Sequence, residues 1–398
     1  MTTSMHTDSE HLAGGGQPNY ESTRTAAPEY YYYDDNELDD DNPNKGRRNV
    51  LYYIAIGIVS IVLIYSYFQL VLGVEPAYTR VPDLVRVQTL EQHQSPAYQD
   101  ARRLVIVGDI HGKFKSLKKL LAKVDYSPET DHLVFLGDMI SKGPNSLEVL
   151  DFAAEHNVSC VRGNHEDSVL HQYAALHRLT APRVEPPSGE SDSIRIHTAF
   201  VRASDKSVAR KLKPSHIEYL GTCPAILDLG QVGFRNTSAV AVHAGLQWNI
   251  PRLEDQIPEV VFTMRSLLPP ELTTPSEDTD GVPWSKVWSQ KQKEKPRHER
   301  ISVFYGHNAR DGLTKHRYTA GIDTGCASGG KLTALIISRD DDGVLQHDLS
   351  SVKCWSGCPK VRVQKTFGNL HPFFSFFFLD FFIHLFIYYR DCKHTPNN

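Results

Sequence analysis

Two kinds of apolar run set the plan of this chain. The first is a single long one: Val50 to Val74 reads VLYYIAIGIVSIVLIYSYFQLVLGV, with no charged residue inside it. About 20 residues of helix cross a bilayer core, so this run is long enough to span. Tyr52, Tyr53, Tyr65 and Tyr67 lie toward its ends, where interfacial aromatics sit. A buried core helix would be the alternative, but the run has no polar face. Lys45, Arg47 and Arg48 stand directly before it, whereas Glu75 precedes the first arginine beyond it. The positive-inside rule then predicts a cytosolic N-terminus, with the rest of the chain in a lumen or outside.

The second kind is short and repeated. Leu104–Val107, the LVFL ending at Leu136, and Val158–Val161 each end abruptly in glycine and polar residues, and each is followed by helical spacing. This strand–loop–helix repetition predicts an α/β fold with a site at the strand ends. Further on, Ser204–Leu220 and Asp255–Leu267 are helical in pattern. Ala225–Leu229, Ala239–Val242, Ile301–Tyr305, Tyr318–Ile322, Leu332–Ile337 and Gly343–His347 read as strands. Pro269–Asp280 reads as loop, and Thr180–Ser193 as an inserted loop that could lie over a substrate or be plain surface.

The expected organisation is therefore an acidic tail over 1–49, a membrane anchor over 50–74, a Pro-containing stalk over 75–100, and a catalytic domain over 101–350. Residues 351–398 form a tail with a Phe-rich stretch to which no function is assigned. A formal net charge of −4 hides an asymmetry: residues 1–49 carry six more acidic than basic groups, and the remainder two more basic than acidic. Bulk charge thus gives no attraction for a polyanion such as nucleic acid, and any such attraction must come from a local patch. Six cysteines show no zinc-cluster spacing; Cys354 and Cys358 could pair or stay free. The Asn157-Val158-Ser159 and Asn236-Thr237-Ser238 sequons each lie just before a predicted strand.

The chemistry-bearing residues sit in five blocks: GDIHG with Asp109 and His111, GDMISKG with Asp138 and Lys142, RGNHED with Arg162, Asn164 and His165, VHAGL with His243, and YGHNA with His307. Carboxylate, imidazole and amide oxygen together suit zinc, iron or manganese rather than calcium. Any one of these residues alone is more simply a cap or a surface group; six with their glycines in five ordered blocks are not.

In that order the blocks resemble the calcineurin-like metallophosphoesterases, and more narrowly the membrane-anchored relatives of bacterial diadenosine tetraphosphatase. Met264-Arg265, WSKVW from Trp284 and GIDTGCASGGKLTAL from Gly321 strengthen that likeness. The resemblance implies a two-sheet sandwich flanked by helices, with two divalent ions bound by Asp109, His111, Asp138, Asn164, His243 and His307, and Asp138 bridging them. Zinc is the first expectation, with manganese, cobalt or iron as alternatives. It implies metal-hydroxide attack on phosphorus, with His165 protonating or positioning the leaving oxygen. Arg162 and Lys142 are the phosphate-binding candidates, a surface ion pair being the bland reading of Arg162.

Two departures bear on the substrate. Lys142 stands where protein phosphatases of this superfamily carry arginine, and Ser141 where they carry the aspartate that partners the catalytic histidine. These favour the branch acting on phosphoanhydrides. Within it the chain resembles fungal zinc-dependent endopolyphosphatases of the vacuole, so inorganic polyphosphate and a vacuolar-membrane location are expected. A Ser/Thr protein phosphatase or a dinucleoside-polyphosphate hydrolase would be the alternative enzyme, and no nucleic acid is expected beyond a nucleotide substrate. A catalytically dead binding module would have lost a ligand, and none of the six is lost.

Overall fold

The computed structural model describes residues 43–71, 78–97, 102–184 and 203–355. Residues 1–42 of the expected acidic tail, residues 185–193 of the Thr180–Ser193 insertion and the Phe-rich stretch therefore lie outside the described residues. The chain divides into two units between Val74 and Glu75. The first contains one helix, α1 (Pro43–Val71). Its Arg48–Tyr67 window has a mean hydropathy of 2.1 and none of it is buried within the protein.

The second unit is built in chain order from β1 (Val87–Thr89), β2 (Arg103–Val107), α2 (Phe114–Lys123), β3 (Asp131–Phe135), α3 (Ser146–Glu155), β4 (Ser159–Cys160) and α4 (Asn164–Leu176). There follow α5 (Ala203–Ala209), α6 (Pro214–Gly221), β5 (Ile226–Gly230), β6 (Ser238–Val242), α7 (Pro258–Thr263), β7 (Ser266–Leu268), β8 (Thr274–Ser276), β9 (Val282–Pro283) and α8 (Trp284–Glu294). The last strands are β10 (Ile301–Tyr305), β11 (Thr314–His316), β12 (Thr319–Gly321), β13 (Lys331–Arg339) and β14 (Leu345–Lys353). They form a six-stranded sheet, β1-β5-β6-β10-β12-β11, a five-stranded sheet, β14-β13-β2-β3-β4, and a small sheet, β8-β7-β9.

Alternation along the strands explains how the two large sheets pack. Leu104 and Ile106 of β2, Ala239 and Ala241 of β6, Phe304 of β10 and Leu335 of β13 share one buried cluster between the sheets. The intervening residues Val105 and Val107 pack outward on Leu117, Leu120, Val149 and Leu170 of α2–α4. Val240, Val242 and Val303 pack outward on Phe262 of α7 and on Trp284 and Trp288 of α8. With both faces covered, β2 must be apolar at nearly every position, which is why it reads as a continuous run.

Several expectations need correction. The stretch 75–100 is not a free stalk over its described part: Val81, Leu84 and Leu90 are buried, and β1 pairs in parallel with β5. Its apolar positions are too sparse to show a period, although each finds the core. Ser204–Leu220 is two helices, broken before Pro214, whose ring fits a first helical turn but not a helix interior. Asp255–Leu267 contains only the six-residue α7 and then turns into β7. Pro269–Asp280 contains β8, which pairs with β7. Cys354 is disulfide-bonded to Cys326 rather than to Cys358, and Cys160 is bonded to Cys223. The Cys160–Cys223 bond ties the end of β4 to the segment just before β5.

Candidate metal centre

Every predicted ligand lies just beyond the C-terminal end of a strand, or at the helix start that follows one. Asp109 and His111 follow β2, Asp138 follows β3, Asn164 opens α4 after β4, His243 follows β6 and His307 follows β10. The two sheets thus deliver their loops to one place. The loops are held in unusual backbone: His111, Asp138 and His307 have φ of 47°, 48° and 65°. Left-handed residues other than glycine are uncommon and cluster at functional sites. Gly163 has its own reason: a Cβ there would stand 2.5 Å from both the amide nitrogen and Oδ1 of Asp138.

Asp138 sits at the centre. Its Oδ2 is 3.3 Å from His111 Nε2, and its Oδ1 is 3.4 Å from His243 Nε2. His243 Nε2 is also 3.0 Å from Asn164 Oδ1 and 3.2 Å from His307 Nδ1. Asp109 Oδ2 is 3.8 Å from His111 Nε2, and Asp109 Oδ1 accepts the His307 amide N–H at 3.0 Å. Two groups, His111–Asp138–His165 and Asp138–His243–His307, have donor atoms close enough to hold an ion each, with Asp138 common to both.

The ring orientations test whether cations fit. Each histidine has one nitrogen on a backbone carbonyl: His111 Nδ1 on Ile140 at 3.0 Å, His243 Nδ1 on Leu136 at 2.7 Å, and His307 Nε2 on Thr263 at 3.1 Å. A carbonyl only accepts, so those nitrogens donate and the other nitrogen of each ring presents a lone pair. Such a second partner orients metal-ligating histidines. The lone pairs of His243 Nε2 and His307 Nδ1 then face each other at 3.2 Å, an arrangement that a cation between them relieves. Burial lowers the pKa of all three rings, keeping them neutral as a ligand must be. Burial, then Asp323 and Asp138, pushes Asp109 well above the usual carboxylate range, a cost that bound cations would remove. The donor set therefore fits two divalent ions.

The other predicted residues divide. His165 is buried with its Nε2 3.9 Å from Asp138 Oδ2. Lys142 is exposed, and its Nζ is 2.9 Å from His111 Nε2. Arg162 does not reach the site. It is 0% exposed, with Nη1 3.9 Å from Asp167 and Nη2 3.5 Å from the Leu220 carbonyl, so it braces α4 against α6 rather than touching phosphate. Its place next to Gly163 and Asn164 misleads because side chains alternate around the strand end.

The cleft above the cluster encloses ≈340 Å³ and brings in residues that sequence patterns did not assign. Arg265 and Arg310 line it with Lys142, Glu277, Asp278 and Asp323. Arg265 donates to the Glu277 carbonyl at 2.6 Å and Arg310 to Thr279 Oγ1 at 2.7 Å, so the loop between β8 and β9 holds both guanidinium groups. Arg265 was visible within Met264-Arg265 and Asp323 within GIDTG, but neither motif carried a role. Glu166, third in α4, accepts N–H groups from Asp138, Met139, Ile140 and Gly163 at 2.7–3.2 Å. Its capping position was the available signal. Asp205, which bonds His165 Nδ1 at 2.8 Å, follows the insertion and has no local signal.

A two-sheet sandwich with a Asp/His/Asn cluster across its strand ends defines the class of metal-dependent phosphoesterases. The chain belongs to the calcineurin-like phosphoesterase family, whose pattern it matches over residues 102–321, more than half its length. It is 27% identical over 269 residues to the zinc-dependent endopolyphosphatase of Saccharomyces cerevisiae, covering 64% of this chain and 81% of that protein. It is 26% identical over 285 residues to a symmetrical bis(5'-nucleosyl)-tetraphosphatase of Coxiella burnetii, covering 59% and 88%. The crystal structure of a candidate diadenosine tetraphosphatase aligns with a TM-score of 0.50 at 26% identity, covering 68% of this chain and 99% of that one. The protein is a metal-dependent hydrolase of this family.

Proposed function

We propose that the cleft hydrolyses phosphoanhydride bonds of inorganic polyphosphate. The observation that carries this reading is the lining: Lys142, Arg265 and Arg310 line the cleft at the metal cluster together with Glu277, Asp278 and Asp323, and no Phe, Tyr or Trp lines it among the described residues. Three cations suit a run of phosphates, whereas a nucleobase would find no ring to stack on. In this reading Asp109, His111, Asp138, Asn164, His243 and His307 hold the ions. Bound ions would supply positive charge to the phosphoryl oxygens and acidify a water for in-line attack. Lys142, Arg265 and Arg310 bind and orient neighbouring phosphates, and His165 Nε2 hands a proton to the leaving oxygen.

A side-by-side assay of purified enzyme on polyphosphate, diadenosine tetraphosphate and a phosphopeptide tests the substrate. The reading expects the highest kcat/KM on polyphosphate; a higher value on either of the others contradicts it. The bis(5'-nucleosyl)-tetraphosphatase relatives make the dinucleotide the second reading.

We propose further that α1 anchors the protein in a membrane, the vacuolar membrane first, with the catalytic unit on the lumenal side. Supporting this are the charge-free apolar stretch of α1 from Val50 onward, the Lys45/Arg47/Arg48 flank, and two disulfides, which persist in oxidising compartments. Asn157 and Asn236 of the sequons are exposed. Protease treatment of sealed microsomes should spare the catalytic unit; its digestion without detergent would reverse the orientation.

A further inference from the structure

We infer that Asp205 is the positioning residue of His165, so that the carboxylate of this pair comes from helix α5 and not from the loop after β3 that carries Asp138. Asp205 Oδ1 is 2.8 Å from His165 Nδ1, and both side chains are 1% exposed. The opposite ring nitrogen, Nε2, faces the cluster, 3.9 Å from Asp138 Oδ2, and the ring stands edge-on to His111 with centroids 5.1 Å apart. The carboxylate and the site thus hold the two ends of one imidazole.

Three observations make the contact more than packing. A buried carboxylate is costly unless paired and hydrogen-bonded, yet among the described residues Asp205 forms no ion pair with lysine or arginine. Its hydrogen-bond partners include His165 and, at 3.2 Å, the Ser204 hydroxyl, and the hydroxyls of Ser141 and Ser168 also face it. Ser141, in the loop after β3, is buried with its hydroxyl beside this carboxylate. The loop that bears Asp138 therefore offers His165 Nδ1 no acid, and α5 fills that place from 40 residues further along.

A carboxylate on Nδ1 accepts its N–H and fixes the orientation of the ring, so a proton carried on Nε2 is directed at the site. In the hydrolysis proposed above, water adds its oxygen to phosphorus and releases a proton. The bond to the leaving oxygen breaks, its electron pair stays on that oxygen, and His165 Nε2 protonates it. The proton from the water then recharges the histidine.

This assignment rests on the proposed hydrolysis, and the experiment separates the two. Full-length wild type, Asp205→Ala, the volume-conserving Asp205→Asn, His165→Ala and the double variant Asp205→Ala/His165→Ala are compared by metal content, by kinetics on polyphosphate, and by the low-field imidazole proton resonance in NMR. Both single Asp205 variants should keep the wild-type metal content and KM while kcat falls about 10- to 100-fold. His165→Ala should fall at least as far, and the double variant no further. The low-field resonance should be present in wild type and absent from Asp205→Ala and His165→Ala. An unchanged kcat, additive losses, a resonance that survives Asp205→Ala, or loss of bound metal on replacing His165 would overturn the assignment. The resonance and metal content are read without substrate, so an enzyme inactive on polyphosphate still tests the pair.

Discussion

Replacing Glu166 by Gln should damage the centre without touching any ligand. The Glu166 carboxylate is wholly buried; Oε2 accepts the Asp138 and Gly163 amides at 2.7 and 3.0 Å, and Oε1 accepts those of Met139 and Ile140 at 2.8 and 3.2 Å. Burial, and then the neighbouring Asp138, pushes its pKa up to about 7, but four N–H donors leave no acceptor for a carboxyl proton, and cations held at Asp138 would draw it back down. Gln keeps the volume and turns one oxygen into an NH2 group. Whichever way the amide lies, two buried N–H groups face a donor. Each orphaned group costs about 1–3 kcal/mol, so the loss is about 2–6 kcal/mol. For a domain of this size that lowers Tm by about 5 °C or more. The same change frees the backbone that holds Asp138 at φ 48°, so turnover should fall with stability. Thermal unfolding and polyphosphate turnover of the full chain check both. A variant that melts within about 1 °C of wild type and turns over normally would refute this role for Glu166.

Lys142→Ala should raise KM about 10- to 100-fold with metal content intact, as the loss of one charge-assisted phosphate contact predicts. Arg162→Met should lower Tm and leave KM unchanged, because that guanidinium is buried away from the cleft; steady-state kinetics on one substrate separate the two. His132 predicts a pH dependence away from the metals. Burial, then Arg102 and His93, lowers its pKa from 6.5 to about 4, so the unfolded chain binds the extra proton between those values. Stability is full above pH 6.5 and falls by about 3 kcal/mol as pH drops through 4. His132→Gln should flatten that part of a urea-midpoint profile, and an unchanged slope would contradict it.

Much of the site was legible because metal chemistry restricts residue types and the fold restricts their places. Asp109, His111, Asp138, Asn164, His243 and His307 each follow a short apolar run, and the structure brings them together at the strand ends. What the sequence concealed depends on contacts distant in the chain. Nothing local marks Asp205 as the partner of His165, and Arg265 and Arg310 converge only because the β8–β9 loop holds both. Arg162 misled in the opposite sense: adjacency to Asn164 says nothing of which face of the strand end a side chain takes. The segment 78–97 concealed its strand because β1 is three residues long, too short to show alternation.

In the proposed mechanism two ions share Asp138. Elemental analysis of the purified full-length enzyme, with turnover measured on the same samples, tests it most directly. The expected result is two divalent ions per chain, loss of turnover when they are chelated, recovery on re-addition, and loss of both bound metal and turnover in Asp138→Asn. Full turnover of metal-free enzyme, or an Asp138→Asn variant with two ions and normal turnover, would contradict it.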